Sequence, residues 1–143
     1  MNMPISTESV FDPIRPDFAD FDVEVENSFR WAIILDHLGV PVNKYVALYA
    51  FRSVIGTDAN MELLQSLDEK ALLAAEDAKG FIHYEPHLGL SYCLWQSTAD
   101  AFAATSGPEH REAAKQAATA YERWELQSWM IANTGISNHV NFE

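Results

Sequence analysis

Histidines, one cysteine and a set of tyrosines and tryptophans carry the side chains of this 143-residue sequence best suited to proton transfer and aromatic recognition. His83 lies inside the run Phe81-Ile82-His83-Tyr84-Glu85, where alternation along an extended strand gives it a face shared with Phe81 and Glu85. It then points either into an interior or under a helix layer. An unperturbed imidazole titrates near neutrality and could take a proton from a phenol or an activated methylene. A polar lining residue without catalytic duty fits the same position. His87 follows four residues later, a separation of about 13 Å in an extended strand, too far to chelate one metal ion with His83 unless the chain turns sharply at Pro86. No metal site is therefore expected. His110 follows Pro108 in the first turn of a helix.

Tyr49, Tyr84, Tyr92, Trp95 and Trp129 could line a cavity for a flat aromatic ligand, because rings stack in offset geometry and phenol hydroxyls orient polar substituents. Core packing accounts for the same residues. Arg52, near the end of a strand and opposite in phase to Phe51, offers a guanidinium for a carboxylate or an enolate oxygen, or an ion pair with one of the many acids.

Strands and helices must position these groups, and composition says how many domains there are. With 48% hydrophobic residues the chain can bury a core as one domain without staples. The net charge of −12, from 9 basic against 21 acidic residues, repels phosphate backbones and anionic lipid surfaces. Nucleic acid and membranes are unexpected partners. No apolar run approaches the ~20 residues of a membrane helix, and no leader is evident. Cys93 has no second cysteine to pair with and sits in Ser91-Tyr92-Cys93-Leu94-Trp95, which favours a buried thiol and a cytoplasmic setting.

Residues 1–43 read as an acidic arm followed by a helix. The arm holds Pro4, Pro13 and Pro16 among aspartates, with Phe11, Phe18 and Phe21 to fasten it across a surface; a disordered tail is the alternative. Phe29, Ile33, Ile34 and Leu38 predict a helix over 26–38, stopped by Gly39 and Pro41. Residues 44–132 then give strand, helix, strand, strand, helix, strand. The first strand is Lys44–Val54. Thr57 or Asp58 caps a helix with Met61, Leu64, Leu67, Ala71 and Leu72 along one stripe, and two short strands, Phe81–Glu85 and Leu90–Gln96, follow. Ser97 with Asp100 imitates a capping box, Pro108 restarts helix, and Trp124–Ala132 alternates as a last strand. Residues 133–143 read as a polar, loose C-terminal tail.

That order is the ferredoxin-like βαββαβ unit, an α+β fold with helices on one face of the sheet. The first strand is nevertheless apolar on both faces, with Tyr45, Ala47, Tyr49 and Phe51 one way and Val46, Leu48 and Ala50 the other. The second face needs a cover. Only the first helix and the arm remain within the chain, so a symmetric partner sheet is the simpler expectation.

Three motifs carry a family likeness: Gly80-Phe81-Ile82-His83-Tyr84-Glu85, Leu90 through Ser97, and Gly107-Pro108-Glu109-His110-Arg111. With them the chain, from about Tyr45 to Ala132, resembles the dimeric α+β barrel superfamily, in its antibiotic-biosynthesis-monooxygenase-like branch. Residues 1–43 have no counterpart in it. The resemblance implies a homodimer. It also implies a cofactor-independent tailoring enzyme, monooxygenase- or cyclase-like, acting on a small aromatic or polyketide-type molecule. In the related cyclase branch a histidine in a similar Pro-x-His turn is a general acid/base, which would give His110 that role; a fold-wide helix start is the plainer reading. The haem-degrading branch pairs an Asn of the first strand with a His deep in the last helix. Tyr45–Arg52 has no Asn and Glu112–Tyr121 no His, so haem is disfavoured. No dinucleotide fingerprint, phosphate loop or Cys cluster supports another cofactor, and none is expected.

The expectation is thus an enzyme with His83 and His110 as acid/base groups and Tyr49, Arg52, Tyr92 and Trp95 contacting substrate. The alternative is a non-catalytic dimer that binds a small hydrophobic ligand, or a protein partner through the acidic arm.

Overall fold

Ten consecutive residues rich in β-branched and aromatic types, Val46–Ile55, form β1, the centre of the sheet. The computed structural model describes residues 9–143, apart from the side chains of Glu109 and Ala117. Residues 1–8 of the expected arm, Pro4 among them, lie outside the described residues. After β1 come α2 (Met61–Glu76), β2 (Phe81–Glu85), β3 (Leu90–Trp95), α3 (Thr98–Thr105), α4 (Pro108–Ala120), β4 (Tyr121–Asn133) and β5 (Val140–Phe142); α1 (Trp31–His37) precedes them. The sheet order is β2-β3-β1-β4-β5, with every neighbouring pair antiparallel. Its first four strands have the ferredoxin-like order expected from the sequence.

Ala47 faces α2–α4 beside Trp95, and Ala75 and Ala101 close over them, with Tyr49, Phe81, Cys93, Ala104 and Met130 at the margin. We call this the helix face. Small alanines bring the helices close to the sheet but fill little volume. The cap of α2 differs from expectation: Asn60 accepts from the Leu63 amide at 3.0 Å, because Gly56–Ala59 is occupied by a turn closed by the Ala59 amide on the Gly56 carbonyl. Met61 is therefore exposed, and Ala71 and Ala75 are the buried positions of the stripe. Ser97 caps α3 as expected, accepting from the Asp100 amide at 3.1 Å.

The opposite, arm face is covered by the chain itself. Val46, Leu48, Leu90, Tyr92, Leu94 and Ile131 share one core with Val25, Phe29, Trp31, Ile34, Leu35 and Val40, while Phe11, Phe18 and Ala19 of the arm pack on it. This corrects the expectation that a partner sheet covers the second face: α1 and the arm do so within one chain. The region predicted as one helix over 26–38 is instead a 3-10 turn at Val25–Asn27 followed by the seven-residue α1. The Ser28 hydroxyl donates to the Glu24 carbonyl at 2.8 Å and the Trp31 indole to the Val25 carbonyl at 3.0 Å. Those bonds fix a break that lets Phe29 and Trp31 both face the sheet.

The C-terminal residues expected to be loose add an edge strand: β5 pairs with Ile131–Asn133 and buries Val140. β4 also starts earlier than predicted, at Tyr121, directly after α4, where the Gly56 amide donates to the Ala120 carbonyl at 2.9 Å.

Phe29 is 3% exposed and contacts the rings of Phe18, Trp31, Tyr92 and His87. Phe29→Ala is expected to destabilise the fold by about 3–5 kcal/mol, the usual range for a phenylalanine cavity. Chemical denaturation followed by tryptophan fluorescence reads this directly; a loss under about 1 kcal/mol would mean that the arm-face core is not part of the cooperative fold.

Candidate functional site

A β-bulge decides which side chains meet on the helix face. The β2–β3 register pairs Phe81 with Trp95 but His83 with Leu94, so one extra residue intervenes at Ile82. Phe81 and Tyr84 consequently both lie on the helix face, and His83 on the arm face. His83 shares its face with Glu85, as alternation predicts, but not with Phe81.

Phe81, Tyr84, Cys93 and Trp95 of the sheet, Asp68, Ala71, Leu72 and Ala75 of α2, Thr105 of α3 and His110 of α4 enclose a cavity of about 110 Å³. Its volume exists because alanines stand where larger residues would fill the layer. The Tyr84 hydroxyl donates to Asp68 Oδ2 at 3.1 Å. Burial, and then the Asp68 charge, raises this phenol well above its ordinary range, so it stays a donor at physiological pH. The Trp95 indole donates to Cys93 Sγ at 3.4 Å. Burial nevertheless pushes the Cys93 thiol up to about 11, which keeps it protonated and non-nucleophilic near neutrality. Tyr49 lies opposite Cys93 on the same face, its phenol also raised by burial, and packs against the helix-face cluster without lining the cavity.

Among the sequence candidates, the structure brings together His110 and Trp95, with Tyr49 beside them. His83, Tyr92 and Arg52 are on the other side of the sheet. His83 stacks on Phe11 with ring centroids 4.1 Å apart and an 18° interplanar angle, and its Nε2 is 2.9 Å from Glu85 Oε1. Tyr92 is 1% exposed beneath Phe29 and Trp31. The two histidines therefore share no site.

Arg52 is 2% exposed and its guanidinium is committed to the chain. It donates to the carbonyls of Val23 and, at 3.4 Å, Phe18, and to Gln127 Oε1 at 3.3 Å. Desolvation lowers its pKa, while the Glu125 and Asp20 charges act in the opposite direction. Arg52 thus ties the arm to β1.

Asp68 and Thr105 were not singled out by sequence reasoning. Asp68 had a usable signal: with Ala71, Leu72 and Ala75 it falls at i, i+3, i+4 and i+7, one face of a helix. A larger open groove of about 460 Å³ lies between α1 and β5, floored by Phe29, Trp31 and Phe142, and contains none of the sequence candidates.

A family model described as PB2B2.08-like matches residues 6–143. No curated protein matches the chain in sequence. Among solved structures, the chain is similar to Rv0793 from Mycobacterium tuberculosis, at 16% identity and TM-score 0.49, over 59% of this chain and 91% of that one. It is also similar to a mutant form of SnoaB, a cofactor-independent oxygenase from Streptomyces nogalater. That match has 12% identity and TM-score 0.46 over 59% of this chain and 90% of the other. A third similar structure is the protein YJCS, at 14% identity and TM-score 0.40, over 58% and 94% of the two chains.

The thiol makes a pH prediction. The folded Cys93 titrates near 11 and the unfolded one near its ordinary 9, so between those values the unfolded state holds fewer protons and stability falls as pH rises. Iodoacetamide labelling followed by mass spectrometry is expected to be negligible at about pH 7.5 and to rise steeply towards pH 11. Rapid labelling near neutrality would contradict the burial of this thiol.

Proposed function

We propose that this chain, which belongs to the PB2B2.08-like family, binds a small aromatic molecule in the helix-face cavity and acts on it as a cofactor-independent tailoring enzyme of the monooxygenase or cyclase kind. The observation that carries the reading is the cavity itself. Three aromatic side chains, Phe81, Tyr84 and Trp95, converge there with one imidazole, His110, and one carboxylate, Asp68. A cavity of 110 Å³ is smaller than the apolar void of about 150 Å³ that accommodates benzene, so one ring enters it only in part or with some widening. A larger ligand projects through its mouth.

The roles follow from the chemistry of the side chains. Tyr84, kept neutral by burial and by Asp68, turns its one O–H from Asp68 to a substrate oxygen when ligand binds. His110 takes a proton from a phenol or an activated carbon, which leaves an electron-rich ring or enolate. With dioxygen as co-substrate, that carbanion equivalent forms a C–O bond to give a hydroperoxide. Loss of water from it leaves a ketone, one oxygen atom going to product and one to water. The substrate supplies the electrons. In a cyclase the same carbanion attacks a carbonyl within the molecule.

A suitable probe is 1,5-dihydroxynaphthalene, whose conversion to 5-hydroxy-1,4-naphthoquinone consumes one dioxygen and releases one water. Ala71→Leu, which fills the cavity, is expected to abolish binding measured by calorimetry while leaving the melting temperature equal or higher. His110→Ala is expected to keep affinity within about threefold and lower oxygen uptake about 10²–10⁴-fold, the usual worth of a general base. Binding by wild type and His110→Ala alike, without oxygen uptake by either, establishes the alternative, a non-catalytic ligand-binding module. Ligand affinity unaffected by Ala71→Leu sinks both readings.

We read the protein as a cytoplasmic homodimer, with the half-buried, protonated and unpaired Cys93 supporting a reducing compartment. The arm occupies the arm face, so pairing uses the exposed apolar edge of the helix face. There Trp124 and Leu126 are half exposed or more and Trp124 packs on Phe51. Light scattering after size exclusion should give twice the chain mass for wild type and the single-chain mass for Leu126→Glu; a monomeric wild type refutes the pairing.

A further inference from the structure

Three side chains from distant parts of the sequence converge under the arm. Ligand atoms of Asp12, Glu85 and His87 all lie within 4.8 Å of one another, and all three residues are half-buried. Alternation along the extended chain from β2 into the following turn puts His83, Glu85 and His87 on one face. Glu85 lies between the two imidazoles, 2.9 Å from His83 Nε2 and 3.5 Å from His87 Nε2. Asp12 reaches them from the arm. The Phe11 carbonyl, 3.1 Å from His87 Nε2, is a fourth donor atom at the same place.

An independent observation comes from beneath the cluster. Tyr92 is 1% exposed, and its hydroxyl has no hydrogen-bond partner among the described residues. Glu85 is its cross-strand partner, and Glu85 and Asp12 are the charges that act on it. A buried phenol without a partner is costly, and a water or anion carried by a bound ion would supply one.

We propose that Asp12, Glu85 and His87 bind a divalent first-row transition ion such as Zn²⁺, with the Phe11 carbonyl available as a further ligand, and that the ion clamps the arm to the end of β2. The donor set of one imidazole and two carboxylates suits zinc, and the imidazole nitrogen distinguishes the site from the all-oxygen shells of calcium and magnesium. Around zinc the ligand atoms lie about 3.3 Å apart, so the three side chains close inward by small rotations. His87 then binds as the neutral imidazole through Nε2, and the Phe11 carbonyl, which faces that nitrogen, turns to the ion. His83 is a positioning residue: it holds the second oxygen of Glu85, and its own ring is fixed by the stack on Phe11. The net charge of −12 favours cation uptake over the whole surface. This site is on the opposite side of the sheet from the helix-face cavity and does not depend on the function proposed there.

Tag-free, full-length protein stripped with EDTA and titrated with ZnCl₂ by calorimetry is expected to bind one ion per chain and to gain thermal stability. Cobalt substitution should give visible d–d absorption characteristic of a four-coordinate site. Asp12→Asn and His87→Gln should each weaken zinc more than about 100-fold, and His83→Ala by about 10–100-fold, the range for an outer-shell partner. His139→Gln, at an exposed histidine elsewhere on the chain, should change nothing. Circular dichroism establishes that each variant is folded. The proposal is overturned if wild type takes up no stoichiometric zinc, or if Asp12→Asn and His87→Gln bind it as wild type does.

Discussion

A central strand that is apolar on both sides must be covered on both sides, and β1 is such a strand. Val46, Leu48 and Ala50 point one way and Ala47, Tyr49 and Phe51 the other. Each large side chain left in water would forfeit roughly 1.5–3 kcal/mol. The ferredoxin-like unit supplies helices for only one face. Residues 9–40 supply the other cover, which is why Phe11, Phe18, Val25, Phe29, Trp31 and Leu35 recur through a stretch that otherwise reads as acidic and proline-rich.

The two covers are built differently, and the proposed ligand site follows from that difference. The arm face is packed with interlocking rings: Phe29 touches Phe18, Trp31, Tyr92 and His87, leaving Tyr92 fully enclosed. Buried Arg52 stitches arm carbonyls to β1 from within. The helix face is closed mainly by alanines, so its aromatic floor is not filled from above, and a cavity remains where Asp68 and His110 approach Trp95. A packed face stabilises, whereas an underfilled face can receive a ligand. Trp124 and Leu126 at the far end of that same face leave apolar surface exposed.

Strand order, helix order and the phase of β1 were legible because period-two and period-3.6 patterns are local. What escaped local pattern is instructive. The bulge at Ile82 shifts every later residue of β2 by one, separating His83 from Phe81, and nothing in Phe81–Glu85 announces it. The break at Ser28 is made by a hydroxyl and an indole bonding back to carbonyls, which overrides helical spacing. β5 contains one apolar pair around Asn141 and exists because the edge of β4 offers it a partner. Within the site, Trp95 and His110 converge on one cavity because α4 packs against α2 over the sheet. Asp12 approaches Glu85 and His87 across more than seventy residues of sequence, a meeting that spacing rules cannot register.

Ligand, we propose, enters on the helix face while the arm face stays closed. Hydrogen–deuterium exchange of the full-length protein with and without 1,5-dihydroxynaphthalene tests it most directly. Ligand-induced protection is expected only in α2 around 68–75, β3 around 93–95 and the α3–α4 segment around 105–110, with residues 9–30 unchanged. Protection concentrated in residues 9–30, or along β5 and α1, would contradict it and place the binding site under the arm or in the groove beside α1.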